Sequence, residues 1–526
     1  MPGYLAIVLH AHLPFVRHPE HPKFLEESWL FEAITESYLP LLRVLEGWHR
    51  DRLSARLTLT LSPTLCAMLR DPLLQERYAQ RLEALVALAK KELQRTRREP
   101  KFHRLAQGYY AQLTAAQKLY RQLQGDLVGR FRRLQERGQI EIITTGATHG
   151  LLPLMVNHSP SIRAQIMVAR DQYRECFGCD PRGFWLPECA YGDGLETQLQ
   201  AAGVRWFIVD AHGLLHAKPR PRFGGFAPIL TPSGVAVFGR DLESSRQVWS
   251  RTEGYPGDPR YRDFYRDIGF DLDFDYVRPF LPSPEHRGFT GIKYYRITGS
   301  HQEKQPYDPA AASAATTEHA RHFLSARVAQ IQKVGAMLDR PPLIVAPYDA
   351  ELFGHWWYEG PEFLDRLVRR AVKQREILGL ITPGQYLELH STHQVAMPSA
   401  SSWGDAGYYR VWLNDGNEWM HRHLQPAQER MSELVRKHPR PGVWQRRALQ
   451  QAARELLLAQ ASDWSFMLST KTSAEYARRR VVTHLRRFNE LYAQLRARRL
   501  NRPWLAELES HDNLFADVNV RYWAEA

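Results

Sequence analysis

The sequence predicts a parallel α/β fold, a TIM-like barrel, with a helical insertion and a C-terminal all-α domain. Eight short apolar runs recur between residues 4 and 381, several of them separated by helical patterns; that alternation argues for a parallel sheet. Polar groups able to do chemistry follow most of these runs directly, as at the C-terminal ends of barrel strands. Two long stretches carry helical periodicity alone. A doubly wound sheet, which would gather the same groups at one crevice, is the alternative.

Residues 4–9 form a continuous apolar run, as expected of a strand buried on both faces, and His10 and His12 follow it. Comparable runs stand at 57–61, at 140–143 (then Thr148 and His149), at 184–186 (then Glu188) and at 206–209 (then Asp210 and His212). Others are at 235–238 (then Arg240 and Asp241), at 343–346 (then Asp349) and at 378–381. Helical patterns cover 160–177 and 194–202. Between 73 and 137, Leu82, Leu85, Leu88 and Leu93 mark one helical face, and Leu113, Leu119, Leu123 and Leu127 another. That stretch reads as an insertion, leaving 1–72 and 138–395 for the barrel. The segment Pro398-Ser399-Ala400-Ser401-Ser402 is a boundary by composition. Beyond it helices are expected over 421–438, 442–460 and 473–498, and 396–526 reads as a helical domain that contributes to the substrate cleft.

At 526 residues the chain exceeds one ordinary core, and 44% hydrophobic with 24% charged residues is usual for a water-soluble protein. The apolar runs are too short to span a bilayer. Met1-Pro2-Gly3-Tyr4 lacks the basic and apolar regions of a secretory signal, so a cytoplasmic protein is expected, as a monomer or small homo-oligomer. The net charge of +13 lies in mixed helical stretches such as 90–98, and no nucleic-acid module accompanies it, so neither nucleic acid nor membrane is an expected partner. Cys176-Phe177-Gly178-Cys179 lacks a second ligand pair for zinc, and the four cysteines read as reduced thiols.

In Gly183-Phe184-Trp185-Leu186-Pro187-Glu188 and in Leu343-Ile344-Val345-Ala346-Pro347-Tyr348-Asp349, an apolar run reaches a proline and an acid follows among aromatic rings. Each acid alone is equally a helix cap. Together they form the pair used to break and remake glycosidic bonds, one of them protonated by desolvation. Alternation puts His10 and His12 on one side of an extended segment. That suits a metal pair, two hydrogen-bonding groups at the floor of a sugar site, or satisfied core histidines. His149 and His355 could add ligands, but no H-E-x-x-H spacing occurs, so no metal is expected. Among fourteen tryptophans, Trp249, Trp403, Trp412, Trp419 and Trp464 stand in or near polar segments and could stack on sugar faces; the rest suit core packing. Walker A, G-x-G-x-x-G and G-x-S-x-G segments are absent, and no cofactor is expected.

These segments resemble glycoside hydrolase family 57 over most of the chain. Its first motif is similar to His10-Ala11-His12-Leu13-Pro14, its second to Gly146-Ala147-Thr148-His149-Gly150, and its third to Phe184-Trp185-Leu186-Pro187-Glu188. The fourth is similar to residues 348–357, with Asp349, His355 and Trp356, and the fifth falls in the helical region with Trp403, Trp412 and Asp463. Segments around Trp249 and Gly257 also resemble the family, with Arg240 and Gly257 at expected glucan contacts. The resemblance implies an incomplete (β/α)7 barrel, one strand fewer than the eight runs. It also implies Glu188 as nucleophile, Asp349 as acid/base, and His10, His12, His149 and Trp185 among the sugar-binding groups.

The implied partner is an α-glucan such as amylose, amylopectin or a glycogen-like polymer. The implied reaction is retaining cleavage and transfer to a 6-hydroxyl, forming α-1,6 branches. Retention predicts carboxyls about 5–5.5 Å apart. The alternatives are α-amylase or 4-α-glucanotransferase action within the family, a metal-dependent polysaccharide deacetylase suggested by His10 and His12, and a non-catalytic glucan-binding regulator. For branching, the resemblance implies a tyrosine on a mobile loop; none occurs between Tyr191 and Tyr255, and Phe223 stands nearest the expected place. That departure favours plain hydrolysis.

Overall fold

The computed structural model describes residues 3–250, 253–299 and 303–525, so the Met1-Pro2 start of the leader reading lies outside it. Its strands are β1 (Gly3–Ala11), β2 (Leu57–Leu61), β3 (Ile140–Ile143), β4 (Gly183–Trp185), β5 (Trp206–Val209), β6 (Ile229–Leu230), β7 (Ala236–Gly239), β8 (Leu343–Asp349) and β9 (Leu378–Leu380). All eight apolar runs are strands. Parallel pairing runs β8-β1-β2-β3, a parallel bridge between Thr144 and Phe184 carries it on to β4, and β4-β5-β7 completes the sequence. Where β7 meets β8 no ladder forms among the described residues. The Asp241 amide donates to the Val345 carbonyl (2.9 Å) across that seam.

Seven strands therefore make an incomplete barrel, as the resemblance implies. The eighth run is not surplus: as β9 it pairs with Gly3–Leu5 of β1. β6, which the sequence reading lacked, pairs antiparallel with β7. Trp185, Trp206, Ile208, Phe238, Leu343 and Val345 fill the interior. Gly183 is needed there: a Cβ at that position would lie 2.3 Å from the Trp206 indole.

Between β2 and β3 run the helices Pro72–Arg95, Pro100–Gln122 and Leu127–Glu136, the first and third capped by Asp71 and Asp126. Leu82, Leu85 and Leu88 are buried along the first, as their spacing predicts. Against these helices packs a segment that sequence periodicity did not reveal, 253–299, built of turns and four-residue helices. Arg81 donates to the Phe289 carbonyl (3.1 Å), Tyr109 to the Lys293 carbonyl (2.7 Å), and Tyr276 to Glu92 (2.7 Å).

Glu418–Lys437, Val443–Ala459, Ser462–Thr470, Ala474–Ala497 and Arg502–His511 form the C-terminal helical region. From Leu456 to Ala459 the second of these is buried on every side, as a central helix must be. No described helix is long and apolar enough to cross a membrane.

Candidate active site

At the C-terminal ends of the strands lies a cavity of about 500 Å³. The barrel contributes His10, His12, Leu13, His149, Glu188, Arg240, Trp249, Asp349, Glu351 and Trp356 to its walls. Gly404, Val411, Asp463, Phe466 and Met467 close it from the C-terminal region, with Trp403 and Trp412. Residues distant in sequence meet here because parallel strands end together: His10 and Asp349 are register partners on β1 and β8.

Glu188 stands in the turn after β4 with a left-handed backbone (φ 62°, ψ 23°), and Cys189 follows at φ 49°. Such a conformation in a residue bearing a side chain costs on the order of 1–3 kcal/mol and persists where surroundings enforce it. Here the enforcement is visible. The Trp403 amide donates to the Glu188 carbonyl (3.0 Å), and the Trp403 indole N–H donates to Oε2 (2.8 Å). The Ser462 hydroxyl donates to Oε1 (2.9 Å). Burial pushes the Glu188 carboxyl up to about 7, opposed by the Trp403 and Ser462 donors and reinforced by the charge of Asp463.

Asp349 has the opposite surroundings. Its carboxyl has no hydrogen-bond donor among the described residues, and burial together with the charges of Glu351 and Glu188 raises it well above the usual carboxylate range, against the pull of Arg240. Of two acids sharing one cavity, the one without donors keeps the proton and the one with two donors ionises first.

His10 lies over the Trp185 indole (centroids 4.4 Å, 9° between planes), and its Nε2 shares a hydrogen bond with His149 Nε2 (3.0 Å). His149 Nδ1 pairs with the Ser462 hydroxyl (2.9 Å). Burial holds both imidazoles well below their ordinary value, so they are neutral. His12 is also pressed down by burial, yet Asp463, 3.1 Å from its Nε2, together with the charges of Glu188 and Glu351 outweighs this and raises it. Its Nδ1 pairs with the Ser62 hydroxyl (2.9 Å). His12, His149 and Asp463 bring ligand atoms within 4.8 Å of one another and are the set that could hold a metal ion. Their inward nitrogens are already engaged by Asp463, His10 and Ser462.

Eleven of the fourteen expected site residues line the cavity, and three do not. Trp185 is fully buried in the barrel interior and supports His10 from below. His355 turns away from the cavity to largely buried Glu36 (2.6 Å), because Gly354, at φ 113°, lies against the backbone of a π-helical turn, Ile34–Tyr38. Gly257 belongs to a short turn, Tyr255–Gly257, away from the cavity. Phe223 is also corrected: its ring lies under Arg340, next to Phe226, whose carbonyl accepts from Leu343 at the start of β8. It is at the foot of the barrel and cannot shield the cavity.

Sequence reasoning missed Glu351. Burial raises it to about 6; it accepts from the His12 amide (3.2 Å) and the Tyr38 hydroxyl (2.5 Å). Its place two residues after Asp349 was the available signal. Phe466 and Met467 had none, since their facing depends on how the Ser462–Thr470 helix docks.

A sequence model of glycosyl hydrolase family 57 matches residues 6–398, and one described as 1,4-alpha-glucan branching enzyme, C-terminal, matches 423–523. A 1,4-alpha-glucan branching enzyme of Thermococcus kodakarensis is 34% identical over 559 aligned positions, covering 99% of this chain and 78% of the relative. Among solved structures, one described as the novel alpha-amylase AmyC of Thermotoga maritima superposes with a TM-score of 0.94 at 42% identity, covering 100% of both chains. The GH57-type branching enzyme of Pyrococcus horikoshii gives 0.90 at 31% identity, covering 100% of this chain and 97% of that one.

Proposed function

The chain belongs to glycosyl hydrolase family 57, and on that premise we propose that it is a 1,4-α-glucan branching enzyme acting with retention. Glu188 attacks the anomeric carbon of an α-1,4-glucan while Asp349 protonates the departing oxygen, leaving a covalent glucosyl-enzyme. Asp349, now a carboxylate, takes the proton of a 6-hydroxyl on a second chain segment. That oxygen displaces Glu188, and an α-1,6 bond forms with the configuration retained. The product is a branched, glycogen-like polymer. His10, His12 and His149 form the floor of the sugar site, and Trp249, Trp356 and Trp403 offer ring surface to the glucan, while Trp412, 2% exposed, packs behind the wall. The four cysteines are free thiols, which fits a cytoplasmic setting.

The observation that carries this reading is the origin of the cavity's closing wall. Asp463, Phe466 and Met467 come from the stretch similar to the branching-enzyme C-terminal region, and they complete the cavity in which Glu188 and Asp349 have contrasting surroundings. A second reading, α-amylase action with water as acceptor, is favoured by the likeness to the Thermotoga maritima protein and by the absence of tyrosine between Tyr191 and Tyr255. The two differ in product. Amylose incubated with the protein should gain α-1,6 linkages, measured by proton NMR and by debranching, faster than it gains reducing ends. Reducing ends without α-1,6 linkages would replace branching with hydrolysis.

A further inference from the structure

Trp356 belongs to two features at once. It lines the cavity, and at 53% exposure it stacks on Phe264 (centroids 4.4 Å, 30° between planes). From Phe264 the rings continue outward to Tyr265 (5.2 Å) and to Phe289 (5.3 Å), and from Phe289 to Phe270 (5.1 Å). Tyr265 is 65% exposed and Phe270 43% exposed. An aromatic ridge therefore starts in the cavity wall and runs onto the outer surface of the 253–299 segment.

The ridge is braced from beneath. The ammonium of buried Lys293 lies 4.1 Å from the Phe264 centroid and 4.3 Å from that of Phe289, and it donates to the Phe264 carbonyl (2.5 Å). A cation under two rings fixes their planes, and desolvation strengthens the attraction. Exposed, contiguous and pre-positioned apolar surface marks an interaction site. Its composition selects among partners: a surface made of aromatic rings suits the flat apolar faces of sugars.

We propose that this ridge is an outer binding surface for the α-glucan chain, taking the part of the polymer that leaves the cavity past Trp356. The inference rests on the proposed function and extends it. A cavity of about 500 Å³ is of small-molecule size, so a polysaccharide must continue beyond it. Continuity through Trp356 supplies the direction.

The test is the double variant Tyr265→Ala/Phe270→Ala, made in the active chain and in Glu188→Gln. In the active chain the KM for amylose should rise on the order of tenfold with kcat unchanged, while a short maltooligosaccharide confined to the cavity keeps its KM. In the Glu188→Gln background, amylose affinity measured by affinity electrophoresis should fall by a similar factor. The pair Tyr265→Trp and Phe270→Tyr should retain both, which separates stacking from misfolding. Unchanged amylose affinity overturns the proposal, and so does an equal loss on long and short substrates. A wild-type dimer that the double variant dissociates also overturns it, by making the ridge a self-association surface. Binding of amylose without any bond formation would sink the proposed function and leave the ridge standing.

Discussion

The protein holds two clusters of similar composition in different settings. At the cavity, His12, His149 and Asp463 bring their ligand atoms within 4.8 Å of one another; inside the C-terminal helices, Glu455, His484 and Asp512 do the same. The second is sealed, with side-chain exposures of 0%, 0% and 1%. His484 Nδ1 pairs with Glu455 (2.7 Å), Gln451 donates to Glu455 (2.8 Å), and Arg487 donates to Asp512 (2.5 Å). The first faces open space, and its Asp463 side chain keeps 14% exposure. Residue type is thus a poor guide to role. Access divides them: the sealed cluster joins helices, and the open one can meet a substrate.

Glu188 neighbours the open cluster through the Ser462 hydroxyl, which it shares with His149. Glu188→Gln should lower kcat/KM on the order of 10⁴-fold, and Asp349→Asn by roughly 10²–10⁴-fold, both without loss of thermal stability. Azide should restore turnover to Glu188→Ala by replacing the nucleophile. A melting temperature that falls with activity would make Glu188 structural. The reverse pattern is expected at the sealed cluster. Asp512→Leu leaves Arg480 and Arg487 without their buried carboxylate and should cost about 3–5 kcal/mol of stability in denaturant unfolding. The folded fraction should keep its kcat.

A smaller effect sharpens the contrast within the cavity. Trp403→Phe keeps a ring in the wall and removes the indole donor to Glu188 Oε2. Loss of one hydrogen bond to a charged group is worth about 1.5–3 kcal/mol, so kcat/KM should drop roughly 10- to 100-fold. That donor opposes the rise of Glu188, so without it the acid limb of the pH profile should move to higher pH. An unmoved acid limb would separate the limb from Glu188.

Much of this was legible in the sequence for a geometric reason. Parallel strands end together, so any polar residue directly after an apolar run reaches the same face; His10, His12, Glu188, Arg240 and Asp349 follow from that rule and line the cavity. The rule gives position along the strand and not rotation. Trp185 lies inside its run and not after it, and strand alternation turns it into the interior under His10. His355 was misread because its direction is set by Gly354 against the Ile34–Tyr38 turn, over three hundred residues earlier in the chain. Segment 253–299 had no period to detect, since Asp267, bonded to Thr290 and to the amides of Gly269 and Gly291, organises it in place of a regular element.

The smallest expected effect tests whether the two acids' roles are assigned the right way round. Glu351 is a positioning residue: its carboxylate accepts from the His12 amide and the Tyr38 hydroxyl. Glutamine at 351 keeps an acceptor for both, so the geometry should survive and only the charge is lost. Burial is the main reason Asp349 holds its proton, and the charge of Glu351 is the next. With that charge removed, Asp349 ionises more readily, and the protonated acid required for cleavage is lost at lower pH. The alkaline limb of kcat/KM, measured on amylose for both proteins, should therefore move to lower pH in Glu351→Gln. The acid limb should stay, because it follows Glu188, whose proton answers to burial, Trp403, Asp463, Ser462 and His12. A shift of the acid limb alone would reverse the assignment of nucleophile and acid, and no shift in either would leave Glu351 a scaffold for His12 and Tyr38 without electrostatic influence on Asp349.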